Sequence, residues 1–104
     1  MDVQEKIRSQ VTANPVVLYM KGSPQFPQCG FSGVAAQILK ACGVQNYVAV
    51  DVLADPEIRE GIKAYANWPT IPQLYINGDF VGGADIMREL YQSGELQKML
   101  PQAA

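Results

Sequence analysis

Apolar residues near the start of the chain fall at Val3, Ile7 and Val11, four apart, which predicts an amphipathic helix over residues 2–13. Asn14-Pro15 ends it, because a residue preceding proline is pushed out of helical backbone. Val16-Val17-Leu18-Tyr19-Met20 then has no strongly polar position, the pattern of a strand covered on both faces. Lys21 to Cys29 holds Gly22, Pro24 and Pro27 and reads as a loop. Helical spacing returns from Gly30 through Phe31, Val34, Ala35, Ile38, Leu39 and Cys42, with Gly43 as the stop. A second buried strand is expected over Tyr47-Val48-Ala49-Val50-Asp51-Val52. Asp55-Pro56 has the form of an N-cap followed by proline at the first helical position, opening a helix to about Tyr65. Trp68-Pro69-Thr70-Ile71-Pro72 cannot be helical. Gln73 to Ile76 and Phe80-Val81 flank Asn77-Gly78, a hairpin signal because both turn residues tolerate positive φ. Gly82-Gly83 breaks the second of these strands. Asp85 is expected to cap a last helical stretch from Ile86 to about Leu100, interrupted near Ser93-Gly94.

The predicted order is α-β-α-β-α-β-β-α. Its first β-α-β crossover implies two parallel strands with a right-handed connection, and the late hairpin adds an antiparallel strand. The expected fold class is therefore α/β, a four-stranded mixed sheet flanked by helices on both faces. No repeat, linker or low-complexity tract divides residues 1–104, so one domain is expected. Pro101-Gln102-Ala103-Ala104 is the expected frayed end.

Composition narrows the chemistry. The 104 residues carry 8 basic and 10 acidic side chains, a net charge of −2, without the basic stripe that nucleic-acid binding requires. There is no histidine, which removes imidazole metal ligands, Cys–His and Ser–His pairs, and histidine proton shuttles. The 2 cysteines, Cys29 and Cys42, are too few for a disulfide scaffold or a four-cysteine zinc site. The charged N-terminal residues and the short apolar runs fit neither a signal peptide nor a membrane span. A protein of a reducing cytoplasm is the resulting expectation.

Cys29 lies where the proline-containing loop meets a helix N-terminus, and unpaired amides with the helix dipole favour an anion there. Its thiol should ionise more readily than a free one, with Lys21 adding positive charge nearby. Ser32 stands three residues on, where a dithiol redox protein would carry its second cysteine, and a hydroxyl cannot resolve a mixed disulfide. Cys42 sits near the far end of the same helix, about 20 Å away at 1.5 Å per residue. A disulfide requires Cα atoms within roughly 7 Å. Cys42 is accordingly read as a small core residue. Arg59 and Lys63, four apart, form by pattern alone a solvated helix face. Before Pro72 the ordinary trans bond is the default, although tight turns carry most cis bonds.

Three segments together carry a family resemblance. Lys21-Gly-Ser-Pro-Gln-Phe-Pro-Gln-Cys29-Gly-Phe-Ser32 resembles the signature loop of monothiol glutaredoxins of the Cys-Gly-Phe-Ser class. Trp68-Pro-Thr-Ile-Pro72 is similar to that family's second motif and Gly82-Gly83-Ala84-Asp85 to its third, in the family's order and across essentially the whole chain. The resemblance implies a thioredoxin-like fold, a cis bond before Pro72, a glutathione site and a 2Fe-2S cluster shared between two subunits. It assigns Cys29 as catalytic thiol, cluster ligand and site of any glutathione mixed disulfide. Lys21 and Arg59 would hold the glycyl carboxylate. Thr70 and Ile71 would offer backbone bonds to the cysteinyl unit beside Pro72. Gly83, Ala84 and Asp85 would take the γ-glutamyl end, with helix-start amides on its carboxylate and the Asp85 side chain facing its ammonium. Ala84 departs from the Cys or Ser common at that position, so its contact there would be through backbone.

Ligand arithmetic runs the same way. A 2Fe-2S centre ordinarily wants four thiolates. One chain offers one accessible thiol, two chains give two, and two glutathiones supply the rest; without histidine a Rieske arrangement is excluded. The implied activity is a cluster carrier, a homodimer when loaded, that passes a labile 2Fe-2S unit to apo-proteins. The alternative is a glutathione-dependent thiol–disulfide oxidoreductase that removes glutathione from proteins. A third reading is an adaptor joined to a BolA-type protein through the cluster.

Overall fold

In the computed structural model, which describes residues 2–101, the helices are α1 (Val3–Ala13), α2 (Gly30–Ala41), α3 (Pro56–Ala66), α4 (Ala84–Ser93) and α5 (Glu95–Met99). The strands are β1 (Val16–Met20), β2 (Val48–Asp51), β3 (Gln73–Ile76) and β4 (Asp79–Gly82), arranged in the sheet as β2-β1-β3-β4. β1 is parallel to β2, with Met20 opposite Asp51, and antiparallel to β3, with Leu18 opposite Leu74. The Asn77-Gly78 turn joins β3 to β4, and both residues take positive φ, 52° and 86°. Expected residue 102–104 fraying lies outside the described residues.

Alternation along β1 divides the core in two. Val16, Leu18 and Met20 pack with Ala35 and Leu39 of α2, Met87 of α4 and Leu96 of α5. Val17 and Tyr19 face the other way, onto Ile7 and Val11 of α1 and Ile58 and Ile62 of α3. Every residue of β1 is buried, which explains its unbroken apolar run: a central strand under two helical layers has no wet face. α1 and α3 meet closely at Gly61, where an added Cβ would lie 2.8 Å from Val3 Cγ2. Asp2 caps α1 by accepting from the Glu5 amide at 2.9 Å, and Asp55 caps α3 by accepting from the Ile58 amide at 3.2 Å.

Two expectations need correction. The Tyr47–Val52 strand is shorter, Val48–Asp51, and half-buried rather than buried, because β2 is the sheet's edge. Asp85 does not cap the last helix. Gly83 is the N-cap of α4, and Asp85 lies in the first turn with its side chain exposed beside Arg88, 3.9 Å from Nη1. Gly82 explains the early start: at φ 151° the chain turns abruptly, and an added Cβ would lie 2.7 Å from Ile86 Cβ. The expected interruption after Ser93 falls at Gly94, with φ 82°. No helix among the described residues is long and apolar enough to cross a membrane.

Candidate functional site

Cys29 is the N-cap of α2, extended in backbone (φ −152°, ψ 139°) and partly exposed. Its thiol is acidified, chiefly by the Ser32 backbone N–H. Partial burial opposes this, while the Phe31 N–H, the Lys21 charge and the Ser32 hydroxyl add to it. Lys21 and Ser32 thus do act on the same sulfur. Cys42, the C-cap of α2, is half-buried against the α2 side of the core, and burial pushes its thiol pKa up. The two cysteines are free and stand at opposite ends of one helix.

Ser32 is fully buried, and its Oγ accepts from the Lys21 N–H at 3.0 Å. The hydroxyl at this position therefore ties the end of β1 to the first turn of α2. Beyond Lys21 the chain is an ordered miniature hairpin. Gly22 pairs with Pro27, the Gln28 N–H donates to the Lys21 carbonyl at 2.9 Å, and Ser23 and Phe26 exchange backbone bonds at 3.2 and 3.1 Å. Asp51 Oδ1 anchors its base, accepting from the Gly22 and Leu53 amides at 2.9 Å each. Gly22 has φ 89°, and a Cβ there would lie 2.5 Å from the Phe26 carbonyl oxygen. Phe26, at the tip, is 74% exposed.

Beside the end of α2 runs a groove of about 190 Å³. Thr70, Ile71 and Pro72 form one wall; Gly83, Ala84 and Asp85 at the start of α4 form the other. The walls come together at Gly83, where an added Cβ would lie 3.2 Å from the Pro72 carbonyl oxygen. The bond before Pro72 is cis, as the resemblance implies and contrary to the default. Phe31, from the first turn of α2, extends the groove to the helix end that carries Cys29. Trp68 completes one side and packs on Phe80 with ring centroids 5.6 Å apart.

The groove thus gathers Thr70, Ile71, Pro72, Gly83, Ala84 and Asp85, whereas Lys21, Cys29 and Arg59 lie outside its lining. Arg59, on α3, is half-buried, and its Nε is a buried donor with no partner among the described residues. Such an orphan suits an arriving carboxylate. Lys63 pairs with Glu60 at 3.8 Å. No group of three or more metal-ligating residues occurs among the described residues. Sequence reasoning missed Phe31, Trp68 and Ile86 as groove residues. Phe31 belongs by spacing to the apolar stripe of α2 yet is 60% exposed, and Trp68 offered the one signal, a large aromatic in a proline-bound segment that cannot be helical. It also missed Gln73, fully buried behind the Trp68–Pro72 segment.

Comparison with known proteins follows the same outline. A family model described as Glutaredoxin matches residues 16–81. A Synechocystis protein named as an uncharacterized monothiol glutaredoxin, ycf64-like, is 59% identical over 95% of this chain and 92% of its own length. Glutaredoxin 4 of Escherichia coli is 53% identical over 96% of this chain and 86% of that protein. Among solved structures, reduced poplar apo GrxS14 superposes with a TM-score of 0.78 at 48% identity, covering 92% of this chain and 87% of that one.

Proposed function

Because this chain belongs to the glutaredoxin family, with monothiol members among its relatives, we propose that it binds glutathione and carries a 2Fe-2S cluster as cargo between two copies of itself, for transfer to apo-proteins in a reducing cytoplasm. The observation that carries this reading is one acidified, accessible thiol whose only fellow cysteine stands at the far end of α2. A cluster that needs four thiolates has to recruit the others from outside the chain. A second copy supplies one, and glutathione in the adjoining groove supplies the rest.

The groove, taken with the two cations that lie outside its lining, suits that tripeptide. Glutathione bears two carboxylates and one ammonium. Lys21 and the orphaned Arg59 Nε offer cationic donors for one carboxylate. The free amides of α4 beyond Gly83 offer a site for the other, and the exposed Asp85 carboxylate faces the ammonium. Thr70 and Ile71, beside Pro72, offer an extended backbone edge to the cysteinyl unit. Because two of the four thiolates belong to non-covalently held molecules, the cluster should be easily released, as transfer requires.

Anaerobic reconstitution with iron, sulfide and glutathione, followed by visible absorption and mass measurement, tests the proposal. A coloured dimer is expected, bleaching to colourless monomer when glutathione is withdrawn, and Cys29→Ser should never colour. A wild type that stays colourless under these conditions overturns the carrier reading. The acidified thiol favours one alternative, deglutathionylation. There the Cys29 thiolate attacks the glutathionyl sulfur of a protein mixed disulfide and the protein thiolate leaves. A second glutathione thiolate then attacks the Cys29 adduct, releasing glutathione disulfide and restoring Cys29. Brisk turnover of a glutathionylated substrate by colourless protein would install this reading instead.

A further inference from the structure

Gln73 and Ser32 are the buried polar side chains among the described residues, and Gln73 has 0% exposure. It opens β3 opposite Tyr19. Strand alternation puts it with Tyr75 on the side covered by α1 and α3, where an apolar residue would be the ordinary choice. A primary amide there is tolerated only if hydrogen-bonded, and this one is. Its Nε2 donates to the carbonyls of Trp68 and Thr70, both at 3.2 Å, and its Oε1 accepts from the Tyr75 hydroxyl at 3.0 Å. The orientation of the amide is unambiguous, since the two carbonyls can only accept and the phenol has a proton to give.

Trp68 and Thr70 flank Pro69, which has no N–H, so this segment cannot be held by a strand ladder. Gln73 holds it instead. The consequence lies in the next peptide plane. The Thr70–Ile71 bond is trans, so its N–H points opposite to its C=O. With the Thr70 carbonyl drawn inward to Gln73, the Ile71 N–H is turned outward, on the stretch where Thr70 and Ile71 wall the groove. It makes no hydrogen bond among the described residues.

We propose that Gln73, braced by Tyr75, is a positioning residue that aims the Ile71 N–H at a carbonyl of a peptidic ligand in the groove. This rests on the glutathione reading above and deepens it: the specificity is for a ligand with an extended peptide group, read through one fixed backbone donor. Tyr75 is itself fixed by its edge-on contact with Tyr19, ring centroids 5.6 Å apart, so the brace reaches from the core to the groove wall.

The test uses the full chain with Gln73→Met, which keeps length without the amide, and Tyr75→Phe, which removes only the hydroxyl. Glutathione affinity is read by calorimetry, and backbone order parameters by NMR relaxation at Ile71 and at Leu18 in the core. Loss of one aligned hydrogen bond predicts about tenfold weaker glutathione binding for Gln73→Met. Tyr75→Phe should weaken it by about threefold. The order parameter should fall at Ile71 while Leu18 keeps its wild-type value. Wild-type affinity in both variants overturns the proposal, and so does order lost equally at Leu18, the mark of a merely structural role. If Gln73→Met does not fold, Tyr75→Phe decides alone. A wild type that does not bind glutathione defeats the ligand reading, whereas the comparison of order at Ile71 and Leu18 still decides whether Gln73 orients the loop.

Discussion

Ser32→Ala isolates what the hydroxyl beside the reactive cysteine does. The side chain is fully buried, and its oxygen is the acceptor for the Lys21 N–H at 3.0 Å. Replacing it by a methyl group removes one atom, so the cavity contribution is small and the main loss is an amide left without a partner. That costs about 1–3 kcal/mol for a fully buried group. Lys21 is only half-buried, which favours the lower half of the range. Alanine regains about 0.5 kcal/mol of helix propensity in α2. The net expectation is destabilisation of about 1 kcal/mol, or a shift in urea midpoint of about 0.5–1 M for a slope of 1–2 kcal/mol per molar. Urea unfolding followed by Trp68 fluorescence measures it, with Ser9→Ala on the exposed face of α1 as a control expected to be neutral. The Cys29 thiol should rise only slightly in pKa, because the Ser32 hydroxyl is the least of the influences on it and the dominant backbone N–H survives the change. An unchanged midpoint together with a thiol pKa raised by a full unit would refute the reasoning and make Ser32 a partner of the sulfur rather than of the backbone.

Further outcomes follow from other parts of the structure. The folded-state pKa of Cys29 lies below its unfolded value, so its thiolate contributes stability above the unfolded pKa, and this is lost as pH falls through the folded one. The stability difference between wild type and Cys29→Ser should therefore grow with pH across that window, as urea midpoints taken at a series of pH values will report. At neutral pH iodoacetamide should alkylate Cys29 well before Cys42, whose burial raises its pKa; equal rates would contradict the assignment. Asp55→Ala removes the cap of α3 and should cost about 1 kcal/mol, lowering Tm by roughly 4–8 °C. The exposed Lys6–Asp55 pair, at 3.7 Å, should add little, so Lys6→Ala is expected to be near neutral by the same scan. Gly22→Ala forces a Cβ to within 2.5 Å of the Phe26 carbonyl oxygen at positive φ. It should open the Ser23–Phe26 turn at a cost of about 1–3 kcal/mol, visible as faster amide exchange at Phe26 and Gln28.

The elements whose residues meet purely local demands were legible in the sequence. Asn77-Gly78 needs two positive φ values, and Asp55-Pro56 needs one side-chain acceptor and one missing N–H; both stand where read. Val16–Met20 and Val48–Asp51 look alike as apolar runs, yet one is central and the other an edge, because which strand gains neighbours on both sides is decided by the later hairpin. Asp85 resembles a cap in isolation. Gly82 moves the helix start ahead of it by adopting a backbone angle that sequence does not display. The Lys21–Gln28 segment, full of proline and glycine, reads as a loop, while its order comes from Asp51, far along the chain on another strand. At the groove, Thr70, Ile71, Pro72, Gly83, Ala84 and Asp85 were found through motifs, whereas Gln73 offered a different signal: a polar residue where β3 faces the core. Without knowledge of which face was inward, that signal had no meaning.

The placement of the two cysteine sulfurs has a consequence for oxidative stress. With Cys29 capping one end of α2 and Cys42 the other, about 20 Å of helix stands between them. A disulfide formed at Cys29 therefore has no partner within the chain. It must join Cys29 to some other species, so oxidation of this thiol to a disulfide would be written on the protein as a change in mass, never as a closed ring within the chain.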